Sequence, residues 1–410
     1  MHFTTGTWVL ITFGIVYVGM IAGRLPWLAL DRTGIALIGA IAMLAITREE
    51  PAEAAKAFGI PTLSLLFGLM IVSAQFRVSG FYTWVAGRLG AANVSPQTLL
   101  LLLVATVGLL SALLTNDVIV LATAPLIIEM AAIRGLNPVP YLLGIAAGAN
   151  IGSAATLVGN PQNILIGESL NLSFPGYMSY SLVPAAFGLV IAWGVFIWAF
   201  RGKWEMKFKA PHFEKVPFNK VETAHGVVVL AGVITIFLFT TWPRDLVAIG
   251  AAGLILVNRK LPNRAYLEQV DWHLLVLFAG LFVVNDAFRD TGALDEVARW
   301  MLNAGADLHS PGWLFAAVSI LSNLVSNVPA VMLLLPFADH VISGPGLALF
   351  STLAGNLIIV SSIANIIVID QAGRLGIKIN WVQHARTGVP ITLLTLLVAG
   401  LWLWLRVSVR

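Results

Sequence analysis

The sequence predicts an all-α polytopic membrane protein made of two inverted-topology repeats. Each repeat is expected to hold about five transmembrane helices, including one discontinuous helix, with a pair of apolar arms that either cross the membrane or re-enter as a hairpin. Three observations carry this reading. Of the 410 residues 58% are hydrophobic and 11% charged, with mean hydropathy +0.88, which leaves no room for a sizeable soluble domain. Apolar runs recur at about the 20-residue length that a helix needs to cross a hydrocarbon core of about 30 Å. The order of elements in the first half then returns in the second.

In chain order, the first crossings fall near Thr7 to Gly23, Gly34 to Ile46 and Ile60 to Phe76. The start, MHFTTGTWVL, has no basic region before its apolar run and no small-residue cleavage site, so it reads as a retained helix and not a signal peptide. FYTWVAGRL follows as an amphipathic piece lying along the interface. Two apolar arms, Thr98 to Leu114 and Val118 to Ala132, meet at a break carrying Thr115, Asn116 and Asp117. Tyr141 to Leu170 reads as one crossing interrupted by GANIGSAATLVGNPQN, and Met178 to Phe200 as an unbroken one.

The polar segment RGKWEMKFKAPHFEKVPFNKVETAH, residues 201 to 225, divides the first repeat (1–200) from the second (226–410), and its lysines and arginines form a solvated face. The second half runs through Gly226 to Thr241, Asp245 to Val257 and Leu274 to Phe288. An amphipathic piece at Thr291 to Leu302 comes next, then arms on either side of Ser326-Asn327. A crossing broken near Ser361 to Asn365 and a last crossing at Gly388 to Leu405 complete it. Residues support the repeat directly. LLSALLTNDVIVLATAPL from Leu109 aligns without a gap to ILSNLVSNVPAVMLLLPF from Ile320, matching Ser111 to Ser322 and Asn116 to Asn327. FRVSG at Phe76 matches FRDTG at Phe288, and GNPQNILI at Gly159 falls on SSIANIIV at Ser361.

Five crossings per half, with each hairpin returning to its own side, turn the second repeat upside down. Placing the linker in the cytoplasm puts 17 of the 24 lysines and arginines inside, as the positive-inside rule requires, with both termini periplasmic or extracellular. The same loop charges account for the net charge of +4, so no nucleic-acid partner is needed.

The breaks carry the chemistry. In hydrocarbon an unpaired backbone amide costs several kcal/mol, so non-helical backbone at membrane depth must line protein or a water-filled cavity. At the first tip, Asp117 either caps the helix that begins there or takes up a proton or sodium in each transport cycle, since an intramembrane carboxylate is expensive. The aligned residue of the second half is Val328, which favours a dedicated role. In the long break Asn150, Ser153, Thr156, Gly159, Asn160, Gln162 and Asn163 offer amides, hydroxyls and glycine-exposed backbone. Such a set coordinates a cation through carbonyl oxygens or binds an oxyanion through N–H groups. The alternative is packing of helices by small and polar residues. Asn356, Ser361, Ser362 and Asn365 form the matching cluster without a GNP turn. Glu129, Glu168, Asp286 and Asp370 sit near the ends of apolar runs, where interfacial position explains them, and His340 reads as a loop residue. The absence of HExxH, GxSxG and a Gly-rich phosphate loop argues against an enzyme. No metal-ligand spacing is present, and zero cysteines remove disulfide and thiolate chemistry.

With TND, GNPQNILI, SNVP and SSIAN together, the chain resembles the ion transporter superfamily over essentially its full length. In particular it is similar to bacterial inner-membrane anion permeases of the ArsB/NhaD and citrate-transporter-like types, which are related to the divalent anion:sodium symporters. The resemblance implies one re-entrant helical hairpin in each repeat, the tips of which meet two discontinuous helices at the membrane midplane. It implies a scaffold that holds a homodimer while a transport domain moves as an elevator. It places Thr115, Asn116, Asp117, Gly159, Asn160, Asn163, Ser326, Asn327, Ser361, Ser362 and Asn365 around one site. No cofactor is implied beyond a coupling ion, H+ or Na+. The dicarboxylate members carry SNT at each tip, where this chain has Thr115-Asn116-Asp117 and Ser326-Asn327-Val328. The expected activity is therefore proton-coupled secondary transport of a small oxyanion or metalloid hydroxide, with arsenite or antimonite efflux foremost. The alternatives are a sodium-coupled di- or tricarboxylate importer, a sodium/proton antiporter and, more distantly, a passive anion channel.

Overall fold

A computed structural model describes residues 4–25, 29–48, 51–208, 216–258 and 261–408. The first half contains α1 (Thr5–Ala22), a two-residue β hairpin (β1 Arg24–Leu25, β2 Leu30–Asp31), α2 (Arg32–Thr47), α3 (Pro51–Ala57) and α4 (Ile60–Val78). It continues with α5 (Phe81–Gly90), α6 (Pro96–Leu113), α7 (Asn116–Ile133), α8 (Pro138–Ser153), α9 (Pro161–Ser169) and α10 (Phe174–Ala199). The second half holds α11 (Lys220–Phe239), α12 (Arg244–Leu256), α13 (Asn263–Leu267), α14 (Trp272–Arg289), α15 (Ala293–Asn303) and α16 (Pro311–Val325). Then follow α17 (Asn327–Leu334), α18 (Ser343–Ala354), α19 (Ile363–Arg374) and α20 (Trp381–Ser408). Among the described residues eight helices are long and apolar enough to cross a membrane: α1, α4, α6, α7, α10, α11, α14 and α20.

Local sequence sets the helix starts. Ser95, Asn137, Asn160 and Ser173 each cap a helix by accepting a backbone N–H, and each is followed within two residues by a proline that needs no N–H partner there. The expected breaks fall where the polar clusters are. Only Leu114 and Thr115 separate α6 from α7, and Ser326 alone separates α16 from α17. The crossing read from Tyr141 to Leu170 is divided into α8 and α9 by a fully buried segment, residues 154–160.

One boundary differs. Asn219 caps α11 through the N–H groups of Val221 and Glu222, so the helix starts inside the stretch read as linker. Glu222, inside the stretch read as linker, is buried. Gln75 donates to its side chain at 3.2 Å and Asn258 at 2.6 Å. The sequence concealed this because the partners lie on distant elements, α4 and the segment after α12.

The helices of the two halves exchange partners. α2 packs on α14 and α12 packs on α4. Both crossings are glycine-dependent. A Cβ on Gly68 would lie 2.5 Å from the backbone carbon of Ala248, and one on Gly280 would lie 2.8 Å from that of Ala36. Gly280 and Ala248 stand 212 positions after Gly68 and Ala36, so the two contacts are the same contact with the halves exchanged. α4 and α14 run antiparallel, since Gly59 abuts Phe282 while Phe67 meets Trp272. α8 likewise lays Gly144, Gly148 and Gly152 on α6, with Gly152 against the backbone of Gly108. These glycines of the polar cluster therefore serve close helix packing.

Overpacking such a crossing costs about 1–3 kcal/mol. Gly68→Val is therefore expected to lower the thermal midpoint in detergent, followed by tryptophan fluorescence, while Gly232→Val, with open space around its Cα, leaves it unchanged. Equal midpoints for the two variants would refute the crossing.

Candidate substrate and ion site

The two buried breaks are built alike. The side-chain amide of Asn163 on α9 donates to the carbonyls of Ser153 (3.3 Å) and Thr156 (2.9 Å) at the end of α8. The amide of Asn365 on α19 donates to the carbonyls of Gly355 (3.0 Å) and Ile358 (3.4 Å) at the end of α18. Each of the second set stands 202 positions after its counterpart. One amide per half thus replaces the helical hydrogen bonds that the break removes.

The same offset governs how the halves meet. Asn160 Nδ2 donates to Thr352 Oγ1 at 3.2 Å, and Ser362 Oγ donates to Asn150 Oδ1 at 2.8 Å. Ser362 and Thr352 again follow Asn160 and Asn150 by 202 positions, so the contacts are reciprocal. Asn150 Nδ2 also reaches Asn356 Oδ1 at 3.0 Å, and Gln162 reaches Thr352 at 3.0 Å. Ser153 accepts from Asn160 at 3.0 Å and donates to the Asn150 carbonyl at 2.8 Å. Thr156 donates to the Ala112 carbonyl, and Ser361 to those of Gly355 and Ile358. Gly159 has no space for a Cβ, which would strike Ser153.

The hairpin tips close on this centre. The Asn116 N–H donates to the Gly159 carbonyl at 3.4 Å, and Thr115 Oγ1 donates to Ser73 on α4 at 3.2 Å. Thr115, not Asp117, occupies the N-cap position of α7, and Asp117 stands partly exposed in its first turn. On the other tip the Asn327 amide lies against Gly355. Ser326 has φ 82 and ψ 162, a region that glycine alone occupies without strain of about 1–3 kcal/mol. Four atoms at aligned positions of the two tips are buried and have no hydrogen-bond partner among the described residues: Ser111 Oγ, Asn116 Oδ1, Ser322 Oγ and Asn327 Oδ1. They are the two pairs that the repeat alignment matches.

The structure therefore brings Thr115, Asn116, Asn150, Ser153, Thr156, Gly159, Asn160, Asn163, Ser361, Ser362 and Asn365 together, with Asp117 in the first turn beyond Thr115; Asn327 adjoins them at Gly355, and Ser326 precedes it without a side-chain bond to the set among the described residues. Glu168 and Asp370 lie at the outer ends of α9 and α19, paired with Arg244 (2.8 Å) and Arg374 (2.8 Å). Asp286 borders a separate cavity with Lys56 and Arg289. His340 is exposed between α17 and α18. Three residues of the network were not singled out from the sequence: Thr352, Tyr177 and His384. Tyr177 donates to the Ala154 carbonyl at 2.7 Å. His384 Nε2 sits 3.2 Å from the Asn356 carbonyl, the equivalent atom, and so carries the proton, which leaves the buried Nδ1 without a partner. A search for donors 202 positions apart would have found Thr352 from Asn150. The other two differ in residue type and leave no common letter to align.

A sequence model of the citrate transporter family matches residues 8–348. The chain belongs to this family. A citrate-transporter-family membership fits the broken helices and the multi-pass apolar composition, and the relatives are transporters too. An uncharacterized transporter of Mycobacterium tuberculosis is 30% identical over 83% of this chain and 85% of its own. A silicon efflux transporter of Oryza sativa subsp. japonica is 26% identical over 93% of this chain and 94% of its own. The crystal structure of the Alcanivorax borkumensis YdaH transporter, described as having an unusual topology, superposes with a TM-score of 0.57 at 14% identity over 97% of both chains. The protein is thus a multi-pass membrane transporter of the citrate transporter family, and its fold is that of YdaH.

The two braces are expected to differ in cost. Asn163→Ala strands the buried carbonyls of Ser153 and Thr156 and should cost about 1–3 kcal/mol, read as a lower thermal midpoint in detergent, whereas Asn365→Ala leaves the Gly355 and Ile358 carbonyls with the Ser361 hydroxyl and should cost less. Equal losses, or a larger loss in Asn365→Ala, would refute the Asn163 brace.

Proposed function

We propose that this member of the citrate transporter family is a secondary active transporter exporting a small, uncharged or weakly acidic metalloid hydroxide, arsenite or antimonite foremost, in exchange for protons. The four buried oxygens at the tips carry this reading. An unpaired buried polar atom costs about 1–3 kcal/mol, and a solute rich in hydroxyls donates to such oxygens and accepts from the neighbouring amides. Neutral As(OH)3 or Sb(OH)3 needs no lysine or arginine and no thiolate, and the network offers amides, hydroxyls and backbone groups. The plant relative whose name is silicon efflux transporter supports a solute of this class. Asp117, beside the tip and replaced by Val328 in the second half, is the coupling carboxylate.

Transport proceeds by alternating access. Residues 1–200 and 226–410 act as inverted repeats joined by a cytoplasmic linker in a bacterial-type inner membrane, and the exchanged helix pairs support this arrangement. The hairpins, α8–α9 and α18–α19 form a body that moves as an elevator against a dimeric scaffold of α1, α2, α4, α11, α12 and α14.

A second reading is sodium-coupled import of a di- or tricarboxylate. The family's description favours it, as do the N-termini of α7 and α9, whose partial positive charge suits an anion beside carbonyl oxygens that suit a cation.

In proteoliposomes an imposed pH gradient is expected to drive arsenite or antimonite uphill, and Asp117→Asn to slow this component by about tenfold or more while Asp117→Glu retains it. Transport by Asp117→Asn at the wild-type rate with the same pH dependence removes the coupling role. Sodium-driven uptake of labelled citrate, with no metalloid flux, replaces the first reading by the second.

A further inference from the structure

The two registers established above, 212 positions for α2 and α12 and 202 for α9 and α19, pair four charged residues that the helix packing alone does not connect. Arg244, the first residue of α12, corresponds to Arg32, the first residue of α2. Glu168 near the end of α9 corresponds to Asp370 on α19. The registers rest on the Gly68–Ala248 and Gly280–Ala36 contacts and on the Asn163 and Asn365 braces, not on the charges themselves. That an arginine faces an arginine and a carboxylate a carboxylate is therefore independent information.

Only one of the two pairs is made. Arg244 Nε lies 2.8 Å from Glu168 Oε1, with side chains 14% and 17% exposed. The same guanidinium donates to the carbonyls of Gly167 (2.8 Å) and Leu172 (2.9 Å), so it holds the whole end of α9. On the other side Asp370 turns to Arg374 of its own helix, with both side chains more than half exposed, and Arg32 donates to the Met20 carbonyl at 3.2 Å. α9 also packs on α4, whereas α19 packs on α7 and α8. The two sites lie at opposite ends of the antiparallel α4–α14 pair. Arg244 shares a cavity with Pro61 at the start of α4, and Thr33, next to Arg32, donates to the His273 carbonyl at the start of α14.

We propose that Glu168–Arg244 and Asp370–Arg32 are twin latches, one at each end of the molecule, closed in alternation as the broken-helix body moves between its two positions. In the present conformation the Arg244 latch holds α9 to α12 and the Arg32 latch is open. In the opposite conformation Arg244 releases α9, Asp370 leaves Arg374, and Arg32 takes the end of α19. The internal partners, Arg374 for Asp370 and the Met20 carbonyl for Arg32, keep the open latch's charges satisfied while they wait. The proposal rests on the alternating-access reading but not on the substrate or the coupling ion.

The chain contains no cysteine, so introduced thiols report cleanly. Two double variants, Glu168→Cys with Arg244→Cys and Arg32→Cys with Asp370→Cys, are treated in native membranes with a short bifunctional thiol reagent. Both are expected to cross-link, since both conformations are visited. Adding Asp370→Asn to the first double variant is expected to raise its cross-linking rate about fivefold by weakening the competing latch. Cross-linking at 168/244 alone, or a rate at 168/244 that Asp370→Asn leaves unchanged, overturns the proposal and reduces Glu168–Arg244 to a fixed brace. Should the double variants fail to accumulate, the charge exchange Arg32→Glu with Asp370→Arg, placed away from the contact now present, serves instead. Recovery of metalloid or citrate flux lost in Arg32→Glu alone supports the latch, and no recovery overturns it. Absence of flux for every solute tested bears on the proposed substrate, because the cross-linking result requires none.

Discussion

Everything at the centre of this protein depends on two buried asparagine amides. An interruption in a helix surrounded by apolar side chains exposes backbone groups that neither lipid nor hydrophobic packing can satisfy. Asn163 and Asn365 answer that cost by bonding across each break to the carbonyls at the end of the preceding helix. With the breaks held, the N-terminus of α9 and the tip of the α6–α7 hairpin are fixed relative to each other, as the Asn116 to Gly159 bond records. The reciprocal bonds Asn160–Thr352 and Ser362–Asn150 then bind the two halves into one centre.

Within this near-symmetric frame the departures from symmetry carry the functional interest. Asp117 faces no acidic counterpart, since the other tip holds buried Val328. Ser326 stores backbone strain that Thr115, in ordinary extended geometry, does not. Tyr177 and His384 hold equivalent carbonyls with groups of different protonation chemistry. The Glu168–Arg244 contact is made while its counterpart is not. Under the alternating-access mechanism proposed above, these local differences are what an ion or solute would use to distinguish the two conformations.

Much of the architecture was legible in the sequence because membrane folds constrain it so strongly. Apolar runs, the TND and GNPQN breaks and their SNVP and SSIAN echoes located most of the long helices and both tips. What remained hidden had distant partners. Lys220 to His225 read as linker because only Gln75 and Asn258, on other elements, make Glu222 a buried group. Glu168 read as an interfacial carboxylate because Arg244 stands far along the chain. Thr352 lies in an apolar helix and draws notice only when set against Asn150.

The sequence by itself determined that the chain lives in a membrane, that it is a repeat, and which residues break its helices. Those properties follow from composition, periodicity and local capping, which act over a few residues. Tertiary structure alone decided that the glycines of the polar cluster pack helices while its amides hold the breaks. It also decided that four aligned tip oxygens are left without partners among the described residues and that one of two equivalent charged pairs is closed. These are properties of how separate elements pack, and burial assigns their cost only after the chain has brought them together.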